Sequence, residues 1–179
     1  YSMVGFQRIG DLVWAAGDMR CRGFMIGGTA GRTTLAGEGL QHQDGHSHLL
    51  AHPHPTVQCY DPSYAYELGV IIQEGIKRMY MDQENIMYYL TVGNEQYTMP
   101  EMPKDAPEGI LKGLYKLRAS RKRSPQKVDL LGSGAILNEV VKAQEILEND
   151  YGVSATVWSA TSYKSLFQDA TDTERWNLL

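Results

Sequence analysis

Cysteine is scarce in this chain, with two in 179 residues, and that rules out several folds at once. Two thiols cannot build a disulfide framework, and Cys21 and Cys59 form no C-x-x-C pair, so neither a redox motif nor a zinc ribbon is encoded. Both sit in apolar contexts that read as buried free thiols of a reducing compartment. Positive charge is also in short supply: 17 Lys and Arg stand against 21 Asp and Glu, a net charge of −4. That balance gives no electrostatic reason to meet nucleic acid or an anionic membrane. The one basic run, RASRKRS (118–124), is short, lies beside Pro125 and reads as a solvated loop. No apolar run is long enough to span a bilayer and no signal-peptide pattern opens the chain, so a cytoplasmic location is the default expectation. An initiator methionine is missing from the opening YSMVGF, and the closing ERWNLL has no polar tail. A piece of a longer polypeptide is therefore expected.

What is present is an alternation of helix and strand signals. Ile9, Leu12, Val13 and Met19 recur near helical spacing between Phe6 and Gly23, and FMIGG follows as a short strand. TVQCY (56–60) reads as a strand, with Asp61 as the cap of the next helix and Pro62 in its first turn. Leu68, Ile71, Ile72, Ile76 and Met79 build one apolar helix face, and Lys77 and Arg78 near its end suit the helix dipole. IMYYLTV (86–92) is continuously apolar and rich in β-formers, as a central parallel strand is. Pro100, Pro103 and Pro107 mark a linker or long crossover. ILKGLYKLR (110–118) then reads as a strand. KVDLLGSGAILNEVVKAQEILENDYGVSATVWS gives a strand, a tight Gly-Ser-Gly turn, an amphipathic helix and a further strand. The expected class is α/β, with mostly parallel sheets flanked by helices in two partial domains.

Candidate chemistry concentrates in LQHQDGHSHLLAHPH (40–54), which holds all five histidines. Three readings stand beside one another. His42, His46 and His48 with Asp44 form a set that suits a divalent metal, although Gly45 interrupts the i, i+4 face a helical site needs. His52 and His54, flanked by prolines, read as exposed turn residues. Glu38 and His42, four residues apart in a glycine-rich loop, suit proton transfer or a hold on a substrate carboxylate. Two glycine motifs fail as nucleotide sites: GSGAIL lacks the third glycine, and GGTAGRTT has the wrong spacing and Arg32 in place of lysine.

GRTTLAGEGLQHQDGHSHLLA, with FQRIGDLVWAAGDMRCRGF upstream and YDPSYAYE, LLGSGAIL, VWS and ERWNLL downstream, resembles the single-chain, homodimeric bacterial type of pyruvate dehydrogenase. The resemblance runs over essentially the whole chain. It implies a thiamine-diphosphate-binding, transketolase-like fold: residues 1–100 from the pyrimidine-binding middle domain, 101–108 a linker, and 109–179 the start of the transketolase-like C-terminal domain. The implied activity is oxidative decarboxylation of pyruvate, with the acetyl group passed to the lipoyl group of the dihydrolipoyl acetyltransferase component. The family's active-centre glutamate and histidine fall on Glu38 and His42. Tyr1 matches a tyrosine beside the cofactor's aminopyrimidine, and Val4 stands where relatives often carry a phenylalanine on that ring. His46 and His48 are implied to support the loop. The family's Gly-Asp-Gly motif for magnesium and diphosphate does not occur in this chain, nor does the glutamate that protonates the aminopyrimidine, so the fragment by itself is expected to be inactive. A transketolase-type or 2-oxoglutarate-decarboxylating relative, and a non-catalytic interface module, are the rival readings.

Overall fold

The computed structural model describes residues 3–28, 46–93 and 95–179, with residues 3–5 and 7 described by backbone alone. A first three-stranded sheet holds β1 (Gly23–Gly28), β2 (Val57–Tyr60) and β3 (Met87–Val92) in the order β1-β3-β2, all parallel. A second, in the order β4-β6-β5, pairs β4 (Leu114–Arg118) antiparallel and β5 (Lys127–Gly132) parallel to β6 (Ser154–Ala160). Helices α1 (Met3–Asp18), α2 (Ser47–Ala51), α3 (Ala65–Ile76, continued as a π-helical turn over Lys77–Met81), α4 (Ala106–Lys112), α5 (Leu137–Asp150) and α6 (Tyr163–Leu178) flank them. The α/β class with mostly parallel sheets is therefore as expected.

Strand β3 is central because both its faces are apolar, as a strand covered on two sides requires. Tyr88 and Leu90 point into a core with Tyr60, Ile71, Met79, Ala106, Ile110 and Tyr115. Met87 and Tyr89, on the opposite face by the period-2 rule, join Phe6, Val13, Ala51, Val57 and Cys59. Each large side chain so buried contributes about 2 kcal/mol from area removed from water.

Several local expectations are corrected by this packing. Among the described side chains of α1 the buried ones are Phe6 and Val13, while Ile9 and Leu12, and Met19 just after the helix, are exposed; Phe6 and Val13 pack with Ala51 of α2 and Val57, Cys59, Met87 and Tyr89 of the sheet. Ile76 is likewise half exposed, though Ile71 and Met79 are fully buried. Cys21 is exposed, since it follows the end of α1, and only Cys59 is buried, which pushes its thiol up to about 11. Asp61 does not cap α3. That helix starts at Ala65, and the main-chain N–H groups of Ser63 and Tyr64 donate instead to the Glu67 carboxylate at 2.5 and 3.3 Å.

The 110–118 segment is not one strand. Pro107 lies in the first turn of α4, where its missing N–H costs nothing, and the helix runs to Gly113. Gly113 has φ +103°, and its N–H bonds Gly109 O at 2.9 Å, which closes the helix before β4 begins. The basic 118–124 run is stapled to α5: Arg118 reaches Val141 O and Glu145, and Lys122 Nζ donates to Glu148 O at 2.7 Å.

Polar contacts join the two sheets at their carboxyl ends. Ser162 Oγ donates to Cys59 O at 2.6 Å and Thr161 Oγ1 to Ile110 O at 2.6 Å. Fully buried Glu67 accepts from Tyr115 Oη at 2.6 Å and Ser159 Oγ at 2.7 Å. Burial, then the neighbouring Glu67 charge, drive the Tyr115 phenol far above its ordinary range. Lys164, on α6, sends its ammonium under α2 to the carbonyls of Ala51, His54 and Val57, the last at 2.7 Å. Its burial lowers the affinity of that amine for its proton.

Candidate active site

The carboxyl ends of β1, β2 and β3 lie side by side, the edge at which parallel α/β sheets receive ligands. Strand β1 ends at Gly28 on this edge, and the described part of the histidine-rich segment begins at His46, directly before α2. Residues 29–45, with Arg32, Glu38, His42 and Asp44, lie outside the described residues, as do Tyr1 and the side chain of Val4, whose backbone belongs to α1.

The remaining four histidines have separate surroundings, so the cluster in sequence is dispersed in space. His46 is exposed at the start of α2. His48 places Nε2 2.9 Å from Thr91 Oγ1, with its ring 5.2 Å from that of Tyr89. His52 meets the edge of Phe167 on α6. His54 is only 4% exposed, which corrects the reading of an exposed turn residue. It packs between Phe6 and Trp14 of α1, with ring centroids 5.8 and 4.3 Å away. Burial, with the Lys164 charge adding to it, lowers its pKa from 6.5. Among the described residues no three His, Cys, Asp or Glu side chains come together as a metal site.

Sequence reasoning missed two residues that the fold brings to this edge, Asp61 and Thr91. The register that sets Tyr60 opposite Leu90 carries Asp61 beside Thr91 one residue further on. Thr91 Oγ1 donates to Asp61 Oδ1 at 2.5 Å, a short bond of the kind a hydroxyl makes to a carboxylate. Both residues are buried. The signal that could have found them is a lone threonine in the apolar run of β3 and an aspartate directly after β2. The second unit reaches the same point: Asp61 N donates to Thr161 O at 2.8 Å, and Gly134 N to Asp61 O at 3.2 Å. The set of His48, Thr91 and Asp61 suits a polar organic ring rather than an anion, since the Asp61 carboxylate and the Thr91 oxygen accept hydrogen bonds. It is not a cradle for diphosphate, since it offers neither a row of free main-chain N–H groups nor a cationic side chain.

Comparison with known proteins agrees with this geometry. Residues 1–100 match the family described as pyruvate dehydrogenase E1 component, middle domain, and residues 113–178 match the transketolase-like C-terminal domain. The pyruvate dehydrogenase E1 component of Pseudomonas aeruginosa is 60% identical over all 179 residues, and that of Escherichia coli K12 is 59% identical over 180. The chain spans 20% of the length of each of these curated relatives. Among solved structures, a transketolase from Campylobacter jejuni superposes with TM-score 0.72 at 15% identity, covering 94% of this chain and 24% of that one. One from Pichia stipitis gives 0.62 at 17% identity, covering 88% and 22%, and the likeness to both is one of fold. The chain belongs to the pyruvate dehydrogenase E1 component family, whose middle-domain signature fills its first 100 residues.

Proposed function

We propose that this chain is an internal part of a bacterial, cytoplasmic, homodimeric pyruvate dehydrogenase of the acetyl-transferring type. Its parent polypeptide decarboxylates pyruvate oxidatively and passes the acetyl group to the lipoyl group of a dihydrolipoyl acetyltransferase. In this reading residues 1–100 form most of the pyrimidine-binding domain, 101–108 the linker and 109–179 the start of the C-terminal domain. The observation that carries it is the block GEGLQHQDGHS within a chain 60% identical throughout to a relative of that name.

Thiamine diphosphate, when bound, supplies the nucleophilic carbon and the electron sink that decarboxylation needs. The residues of this chain fit one side of such a cofactor. Tyr1 and Val4 are assigned to the aminopyrimidine, and the polar edge formed by His48, Thr91 and Asp61 offers acceptors for an amino group on that ring. Magnesium and the diphosphate are assigned to residues beyond this chain, in line with the lack of a Gly-Asp-Gly motif in its sequence.

In this assignment His42 holds and protonates oxygen on the substrate, because an imidazole near neutrality both donates a hydrogen bond and exchanges a proton. Glu38 orients that imidazole or a water beside it, and Glu38→Gln is expected to lower turnover by less than His42→Ala. The test is an assay of the parent protein, supplied with thiamine diphosphate and magnesium, on pyruvate and on 2-oxoglutarate. Turnover of pyruvate alone is expected. Preference for 2-oxoglutarate moves the protein to a sister activity, and no cofactor binding by calorimetry makes it a non-catalytic interface module.

A further inference from the structure

We propose that His48 is a second positioning histidine of this site, held as its Nε2–H tautomer by Asp61 acting through Thr91, and that the Gly-Ser-Gly turn of the second unit keeps Asp61 in place. The role in turnover rests on the function proposed above; the tautomer does not.

The hydrogen-bond chain fixes the direction of each proton. Thr91 has one hydroxyl proton, and two oxygens receive it: Asp61 Oδ1 at 2.5 Å and the Tyr60 carbonyl at 3.4 Å. A carboxylate and a main-chain carbonyl are acceptors only. The proton therefore points to them, and Oγ1 turns a lone pair toward His48 Nε2 at 2.9 Å. For that contact to be a hydrogen bond, Nε2 must carry the proton, so that when the ring is neutral it is the Nε2–H tautomer. The ring of Tyr89, 5.2 Å away and inclined at 58°, restricts rotation that would exchange the two nitrogens. A carboxylate that orients a histidine so that its other nitrogen accepts is the arrangement of a tuned base.

The relay is built across the two units. The main chain of Asp61 is held on both sides by the second unit, N–H to Thr161 O and C=O from Gly134 N. Gly134 has φ +52°, a left-handed conformation, and a Cβ added there would lie 3.0 Å from Asp61 Oδ1 and 3.2 Å from Oδ2. Any larger residue at 134 presses on the carboxylate that orients Thr91. The Gly-Ser-Gly turn, which is not a dinucleotide loop, thus acquires a function as the seat of Asp61.

The test uses the full-length parent protein with 15N-labelled histidine, its His48 resonance identified by loss in His48→Gln. Magic-angle-spinning spectra are expected to show the Nε2–H tautomer for wild type and Thr91→Ser, and a mixed or Nδ1–H tautomer for Thr91→Val, which keeps shape but loses the hydroxyl. In turnover, Thr91→Val is expected to lower kcat about tenfold with little change in KM, and Thr91→Ser to restore it. Gly134→Ala should reproduce Thr91→Val from the other unit. An Nδ1–H tautomer in wild type, or a Thr91→Val spectrum identical to wild type, overturns the relay. A changed tautomer with unchanged kcat overturns the positioning role, and wild-type behaviour of Gly134→Ala removes the second unit from it. A wild-type protein with the Nε2–H tautomer but no pyruvate turnover overturns the proposed function and leaves the relay standing.

Discussion

The carboxyl edges of the two sheets are built from different materials. At the edge of β3 and β2 the chain joins polar side chains to one another: His48, Thr91 and Asp61. The edge of β5 and β6 offers mostly main-chain groups and small hydroxyls, namely Gly134 N, Thr161 O, Thr161 Oγ1 and Ser162 Oγ. Each of these reaches toward the first unit or α4, and Ser162 Oγ also meets Ser165 Oγ at 2.8 Å in the first turn of α6. One edge holds the titratable groups of the proposed site, and the other holds the main chain of Asp61 in place. Buried charges follow the same division: Glu67 and Lys164 tie the units together through four and three partners respectively, so their work is mechanical.

Substitutions in the parent protein can break this division. The largest stability effect is expected from Glu67→Leu, which leaves two main-chain N–H groups, Tyr115 and Ser159 without their acceptor. The loss is about 3 kcal/mol or more, read by denaturant unfolding. Lys164→Met should cost less, about 2 kcal/mol, because it strands only carbonyls and relieves the burial of a charge; thermal unfolding would check it. A turnover loss in Lys164→Met larger than its change in stability explains would contradict its purely mechanical role.

The smallest expected effect is a pH dependence at His54. Its pKa in the folded protein lies below 6.5, so below that pH the unfolded chain takes up the proton more readily. The stability its neutral ring provides is therefore full above 6.5 and is lost as pH falls through the folded value. Comparison of acid unfolding for wild type and His54→Leu should show this increment missing in the variant. Equal acid sensitivity would mean that His54 is not held neutral by its aromatic pocket.

Much of the frame was legible because it rests on local pattern. A continuous apolar run announced β3, and the strand and helix signals around Gly132 gave β5, α5 and β6 in order. The errors arose where long-range packing decides. His54 looks exposed between two prolines, yet Phe6 and Trp14 of α1, far earlier in the chain, close over it. Helix α4 was hidden because Pro107 read as part of a linker and 110–118 as one strand, although a first-turn proline and a terminal glycine suit a short helix. At the site, Glu38 and His42 stand out in one motif block of the sequence and lie outside the described residues. Asp61 and Thr91 do not stand out, because thirty residues separate them and only the β2–β3 register brings them together.

The central claim is that the histidine-rich edge carries the chemistry, and His42→Ala in the parent protein tests it most directly. With thiamine diphosphate and magnesium supplied, pyruvate turnover is expected to fall by at least about 100-fold, the usual scale for a group that transfers a proton or stabilises developing charge, while the unfolding midpoint stays unchanged. Wild-type turnover in a folded His42→Ala protein would contradict the claim.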